Sequence, residues 1–288
     1  GSALDINKYR VKNKDLCKKT NPAVFKFDTT ADIEPLKGII GQERATRSLK
    51  FALDIDIQGY NIYLAGSFGT GKTTLAAEMV KEKAQKEGVP PDWCYVYNFK
   101  NPDSPRAISL PAGQGLKLKK AVAAGIEAIV EQIAKAFGSQ DYVQQKNQIL
   151  NQFMEETNNR YLQLEEEART YGFTISRDQS GITSVPIKNG EQLSQEEYLL
   201  MSEEERQKLM TSSAIVQEKL TEALHGYREG EKSVKEKVAQ LEKQIARQVS
   251  APYFEEMALN FAGIDEVLEY LDEMQEDLLL NVDAFIRP

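Results

Sequence analysis

The residues able to do chemistry are concentrated in one short stretch. Gly66-Ser67-Phe68-Gly69-Thr70-Gly71-Lys72-Thr73 is an intact GxxxxGK[ST] pattern. Its glycines let the backbone curl so that successive N–H groups converge on an anion, and a helix beginning at the end of the loop adds partial positive charge at its N-terminus. Lys72 has the reach to meet the β- and γ-phosphates of a nucleotide. The Thr73 hydroxyl, with Thr74 beside it, is placed to complete a Mg²⁺ shell. Such a loop works only between a strand and a helix. The apolar run Ile62-Tyr63-Leu64-Ala65 precedes it, and an Ala-, Glu- and Lys-rich stretch from about Thr73 to Glu87, closed by Gly88, follows.

Next comes Trp93-Cys94-Tyr95-Val96-Tyr97-Asn98-Phe99, aromatic and β-branched and bounded by prolines. It predicts a second strand, making a βαβ unit of a parallel sheet with the Trp93 aromatics in the core. Hydrolysis also needs an acidic residue closing a further apolar strand. The nearest candidate, Leu278-Leu279-Leu280-Asn281-Val282-Asp283, continues the spacing of Leu268, Leu271 and Met274 and is expected to be helical.

From about residue 116 the texture changes. Leu150, Met154, Thr157, Tyr161, Leu164, Ala168 and Tyr171 recur at alternating steps of four and three, the seam of a coiled coil. Val216, Leu220, Ala223 and Tyr227, then Val234, Val238, Leu241 and Ile245, supply the partner, with Gly226 and Gly230 expected to loosen or bend that helix. Two such helices fold back antiparallel, each on the order of 50 to 75 Å long. Between them Phe173 to Ser176, a turn at Arg177 to Gly181, and Ile182 to Ile187 read as a β-hairpin, with Pro186 restricting its strand to an edge. The apolar side chains of Phe173, Ile175, Ile182 and Ile187 have two roles open to them: an exposed patch that grips unfolded polypeptide, or a cover for the end of the helical pair. Beyond Pro252 a last amphipathic segment carries Phe254, Met257, Phe261, Ile264, Leu268, Leu271 and Leu278.

The expected fold is therefore part of an α/β P-loop domain interrupted by a long antiparallel helical coiled coil tipped by a hairpin, mostly α overall. Its segments are a basic arm (1–30), the nucleotide-binding part (31–115), the insertion (116–250, hairpin about 172–190) and a helical return (251–288). The 288 residues carry 36 Lys+Arg and 44 Asp+Glu, a net charge of −8. Seven basic groups against three acidic ones make the arm +4, so the remainder is −12. That balance gives little support to binding a phosphate backbone. No apolar run suggests a membrane span or a leader, so a cytoplasmic location is expected. Cys17 and Cys94 are too few for a disulfide framework or a zinc site. His225, the one histidine, has no triad or metal partner in view. The glutamates at 196, 197 and 203 to 205 read as a solvated helix face.

Several motifs resemble one family. Gly38-Ile39-Ile40-Gly41-Gln42-Glu43-Arg44-Ala45, the phosphate loop, Asp92-Trp93-Cys94-Tyr95-Val96, Phe99-Lys100-Asn101-Pro102-Asp103-Ser104-Pro105-Arg106-Ala107, and Leu110-Pro111-Ala112-Gly113-Gln114-Gly115 look like the N-terminal half of the bacterial Lon-like ATP-dependent proteases. In these a AAA+ domain carries a long helical insertion and precedes a Ser-Lys peptidase domain. The resemblance implies ATP and Mg²⁺ as cofactors, with Ile40, Gly41 and Gln42 against adenine and Gly66 to Thr74 around the phosphates. It implies a hexameric ring of copies of the chain and unfolded proteins as substrates, met by the helical insertion. The family's Walker B acid, sensors, arginine finger and catalytic Ser and Lys have no counterpart in this sequence, so no catalytic residue is assigned and the chain by itself is expected to be inactive. Two other readings are open: a P-loop and coiled-coil ATPase that tethers nucleic acid, which shares the order of elements, and a non-enzymatic substrate-binding module whose nucleotide loop is vestigial.

Overall fold

Helix formers dominate the chain, and the protein is mostly helical with two small antiparallel sheets. The computed structural model describes residues 5–36 and 40–286. Gly38 and Ile39 of the motifs above lie outside the described residues. Two compact units meet in sequence between Val89 and Pro90.

In the first unit the basic arm forms short 3-10 turns whose side chains are exposed. At Thr29 the Asp32 carboxylate accepts hydrogen bonds from both the backbone N–H and the hydroxyl. Two helices follow, α1 (Glu43–Leu53) and α2 (Lys72–Lys86). Lys83 of α2 bridges to Asp54 at the end of α1, 2.7 Å away, and to Glu87. The hydrogen bond from Lys83 holds the Asp54 carboxyl below its ordinary range.

The expected βαβ unit is not formed. Ile62–Ala65 belongs to neither sheet and is largely exposed. An apolar run becomes a strand only by finding a ladder. The other expected strand, β1 (Asp92–Val96), closes one locally with β2 (Arg106–Leu110), antiparallel, Asp92 opposite Leu110. Closing that short connection costs less chain entropy than a crossover.

The second unit begins at Pro90 with this hairpin. Ile108 and Leu110 enter a core with Leu118, Ile129 and Ile133 of α3 (Gln114–Phe137), Phe254 and Met257 of α6 (Glu203–Asn260), and Val267, Leu271 and Leu278 of α7 (Asp265–Leu280). The segment from Leu278 to Asp283 is helical as expected, running from α7 into α8 (Val282–Ile286). The carboxylates of α7 at spacings of three and four lock this helix to the hairpin. Glu266 accepts from the Ser109 N–H, and Arg106 bonds Glu269 at 2.8 Å and Glu273 at 3.3 Å. Lys100 reaches Glu273 at 2.8 Å.

Alongside, α4 (Gln140–Thr170) packs antiparallel on α6. Tyr142 donates to Glu242, Phe153 lies on Gly230, and Lys219 pairs with Glu167. The seam differs from the expected one in the first half of α4. Leu150 and Met154 are exposed, while Tyr142 is buried and Ile149 and Phe153 are half-buried. The tyrosine hydroxyl can reach a buried carboxylate, and the phenylalanine ring finds a glycine. Those two contacts turn the face by one residue. Gly226 and Gly230 do not interrupt α6, which runs 58 residues, about 87 Å. A Cβ at Gly230 would lie 2.5 Å from the Phe153 ring and one at Gly226 3.1 Å from the Arg160 guanidinium, so the glycines are points of close approach. Pro252 sits inside the helix, exposed, where the carbonyl freed one turn earlier can meet water.

At the far end a three-stranded sheet packs on the pair: β3 (Phe173–Asp178), β4 (Gly181–Lys188) and β5 (Glu191–Gln192), with β4 in the middle. Pro186 is thus not on an edge strand. It stands opposite Phe173, just before the β5 ladder begins at Ile187, where its carbonyl accepts from Leu193 N–H and no donor is needed. Helix α5 (Gln195–Leu200) then leads into α6.

Two outcomes follow. Tyr142→Phe leaves the Glu242 carboxylate short of a donor in a buried site, and should lower stability by about 1–3 kcal/mol in urea denaturation. Hydrogen bonding from Arg106 holds the Glu269 carboxyl below its ordinary value of 4.5. The stability it contributes is present above that value and lost as pH falls through the lower folded one, so Arg106→Ala should flatten the pH dependence of unfolding below 4.5.

Candidate functional site

The Gly66–Thr73 loop is built by two glycines in the left-handed region, Gly69 at φ 77° and Gly71 at φ 80°. Gly71 caps α2, which starts on Lys72. The N–H groups of Lys72, Thr73 and Thr74 lie in the first turn, where a helix supplies no acceptor of its own, so they are available to an anion. Thr73 and Thr74 are exposed and Phe68 is fully so.

Lys72 folds back over the loop. Its ammonium donates to the Gly66 carbonyl at 2.6 Å and the Ser67 carbonyl at 2.7 Å, while the Thr70 hydroxyl donates to the same Ser67 carbonyl at 2.9 Å. A Cβ at Gly66 would press on the Lys72 stem at 3.3 Å, which explains glycine there. A polyphosphate fits this donor set: one ammonium, one hydroxyl beside it and a run of backbone N–H groups. When bound, Mg²⁺ would be held by the Thr73 hydroxyl and would neutralise phosphate charge.

Ile40, Gly41 and Gln42 form the entry to α1. Gly41 has φ 84° and Gln42 φ 55°, and the Gln42 carbonyl accepts the first helical bond from Thr46. A non-glycine residue in that region costs about 1 kcal/mol. Ile40 is exposed.

The hairpin residues are placed differently from an exposed grip. Phe173 and Ile175 are buried with Leu164, Ala168, Val216 and Leu220, and Ile182 packs against that cluster; Ile187 is half-buried. These side chains cover the end of the helical pair. Trp93, Tyr95 and Tyr97 also depart from expectation, being exposed instead of filling a sheet core. In a two-stranded hairpin only one face meets the core, and alternation gives it to Cys94 and Val96. His225 is exposed, and no cluster suited to a metal ion occurs among the described residues. Both cysteines are free thiols, and no helix among the described residues is long and apolar enough to cross a membrane.

Sequence reasoning missed Asp92, whose carboxylate accepts from the Gly115 N–H at 2.8 Å and so ties β1 to the start of α3. The signal was there in the missing cap: Gly113 precedes the helix and offers no side chain. It also missed the α7 carboxylates, whose spacing of 266, 269 and 273 marks one helix face.

Residues 92–124 are similar to the Lon-like LonC helical domain. That stretch holds β1, β2 and the first part of α3 with the Asp92 cap, and it supports a Lon-type relationship without extending to the phosphate loop. No curated protein matches the chain.

At Gly71 no atom lies within 4 Å of where a Cβ would sit, so the cost of Gly71→Ala is conformational, about 1–2 kcal/mol. Amide exchange in α2 should rise by about tenfold on that substitution, with Lys72 untouched.

Proposed function

We propose that this chain is the ATP-binding and substrate-recognition region of a Lon-like ATP-dependent serine protease. In this reading it is the first part of a AAA+ domain that carries the α4/α6 pair as a coiled-coil insertion. The observation that carries the proposal is the Gly66–Thr73 loop, with its two left-handed glycines and with Lys72 at the start of α2. The similarity of residues 92–124 to a Lon-like helical domain directs the choice among nucleotide-binding families.

Binding proceeds by exchange of partners. The Lys72 ammonium leaves the Gly66 and Ser67 carbonyls for the β- and γ-phosphates, so its charge passes from neutral acceptors to anionic ones, a stronger class of hydrogen bond. The α2 N–H groups orient the phosphates and Thr73 holds the metal. Ile40 to Gln42 are proposed to meet the base. In the longer protein this binding would drive a hexameric ring in the cytoplasm, with the helical pair meeting unfolded protein and a Ser-Lys site cleaving it.

Calorimetry with Mg-ATP tests the reading. Binding is expected without turnover, since no Walker B acid is assigned in this sequence. Lys72→Ala should weaken binding by about 100-fold, the loss of one charge-assisted contact set. Absence of binding by the unaltered chain, or equal binding by the variant, would refute it.

A further inference from the structure

We infer that the elbow between α5 and α6 is a docking site for an extended polypeptide segment whose apolar side chains are flanked by lysine or arginine. The inference deepens the reading of the helical pair as the part that meets polypeptide, and it rests on that half of the proposed function, not on nucleotide binding.

The burial of Phe173 and Ile175 removes the hairpin as the gripping surface. Exposed apolar surface lies instead at the elbow. Leu199 is 67% exposed and Leu200 86%, with Tyr198 partly open beside them. Met210, 66% exposed, stands one helical turn beyond Arg206 on the same face of α6. Adjacent leucines at this exposure cost solvation free energy with no compensating packing of their own, which marks a surface for a partner.

The elbow is held in shape. The Arg206 guanidinium donates to the Tyr198 and Leu199 carbonyls at 3.3 and 2.9 Å and lies over the Tyr198 ring. Ser194 caps α5, and Ser202 and Glu205 cap each other at the start of α6. The leucines are therefore presented on a fixed frame, and binding them costs little ordering.

Charge selects the occupant. Glu196 and Glu197 precede the leucines and Glu203, Glu204 and Glu205 follow them in sequence, all exposed. Glu196, Glu197 and Glu203 make no ion pair among the described residues. The basic residues of this stretch are already engaged, Arg206 with the two carbonyls and Lys208 with Glu204. An apolar pair between two acidic runs suits leucine-like side chains interspersed with cations and repels acidic segments within the Debye length of about 8 Å.

Fluorescence anisotropy of labelled peptides, with the full chain and no nucleotide, tests this. A peptide alternating leucine and lysine should bind about tenfold tighter than its leucine/glutamate and serine/lysine counterparts, since each lacks one half of the complementarity. Leu199→Ser with Leu200→Ser should reduce that binding by about tenfold at unchanged helicity. Glu196→Lys with Glu197→Lys, which leaves the leucines in place, should shift preference toward the leucine/glutamate peptide. Equal affinity for the charge-opposite peptides, or no effect of the leucine substitutions, overturns the proposal. So does concentration-dependent self-association that the leucine substitutions abolish, since a second copy would then be the occupant. Failure here with intact Mg-ATP binding leaves the nucleotide reading standing, and the converse holds.

Discussion

The second unit depends on one long helix being shared by two separate cores. The C-terminal part of α6 supplies Ala246, Phe254 and Met257 to the core with the β1–β2 hairpin, α3 and α7, while its N-terminal part supplies Val216 and Leu220 to the core beneath the distal sheet. No loop intervenes. What fixes its neighbours is close approach at glycines. Gly125 of α3 admits the Met257 thioether, where a Cβ would come within 2.8 Å of sulfur, and Gly230 of α6 admits the Phe153 ring. These sockets set axial position as well as distance, which a uniform seam of leucines would leave open to slippage.

Their energetic sense is a balance of opposed effects. Glycine inside a helix costs about 1 kcal/mol relative to alanine. A ring seated against bare backbone recovers dispersion contacts and removes apolar area from water, on the order of 1–2 kcal/mol for a partly buried phenylalanine. The glycines that spacing alone marks as weak points are therefore compatible with an unbroken helix. The Tyr142–Glu242 hydrogen bond adds register at the other end of α4, since a buried carboxylate tolerates no slip that removes its donor.

Much of this was legible in the sequence. The helical pair, the distal hairpin, the α2 span and the final helices follow from periodicities of 3.5 and 2 and from turn residues. The α4 face was misread because hydrophobicity ranks Leu150 and Met154 above an aromatic that needs a glycine partner about 80 residues away, and no local pattern records that pairing. The β1 alternation was legible as a strand but not as a one-sided one. Whether Trp93 and Tyr95 meet core or solvent depends on how many strands flank them, which is a property of the sheet and not of the segment. The backbone of the Gly66–Thr73 loop is set locally, by the φ values at Gly69 and Gly71, the helix start and the reach of one lysine.

That locality also explains how the loop holds its shape apart from any sheet. Lys72 satisfies the Gly66 and Ser67 carbonyls from within, and Thr70 closes the turn, so the curl of backbone is maintained by its own residues. The same ammonium is the group that a phosphate would recruit in the proposed binding. Its present partners are neutral carbonyls in an exposed loop, so releasing them exposes acceptors to water rather than burying them unpaired. The proposed exchange would therefore favour an anion that brings more charge than two carbonyls can offer. A chloride or a single carboxylate brings one charge and few acceptor atoms, whereas a triphosphate offers several oxygens to the ammonium and to the first N–H groups of α2 at once. In the proposed reading, selectivity for polyphosphate would follow from the latch itself, before any contact with a base.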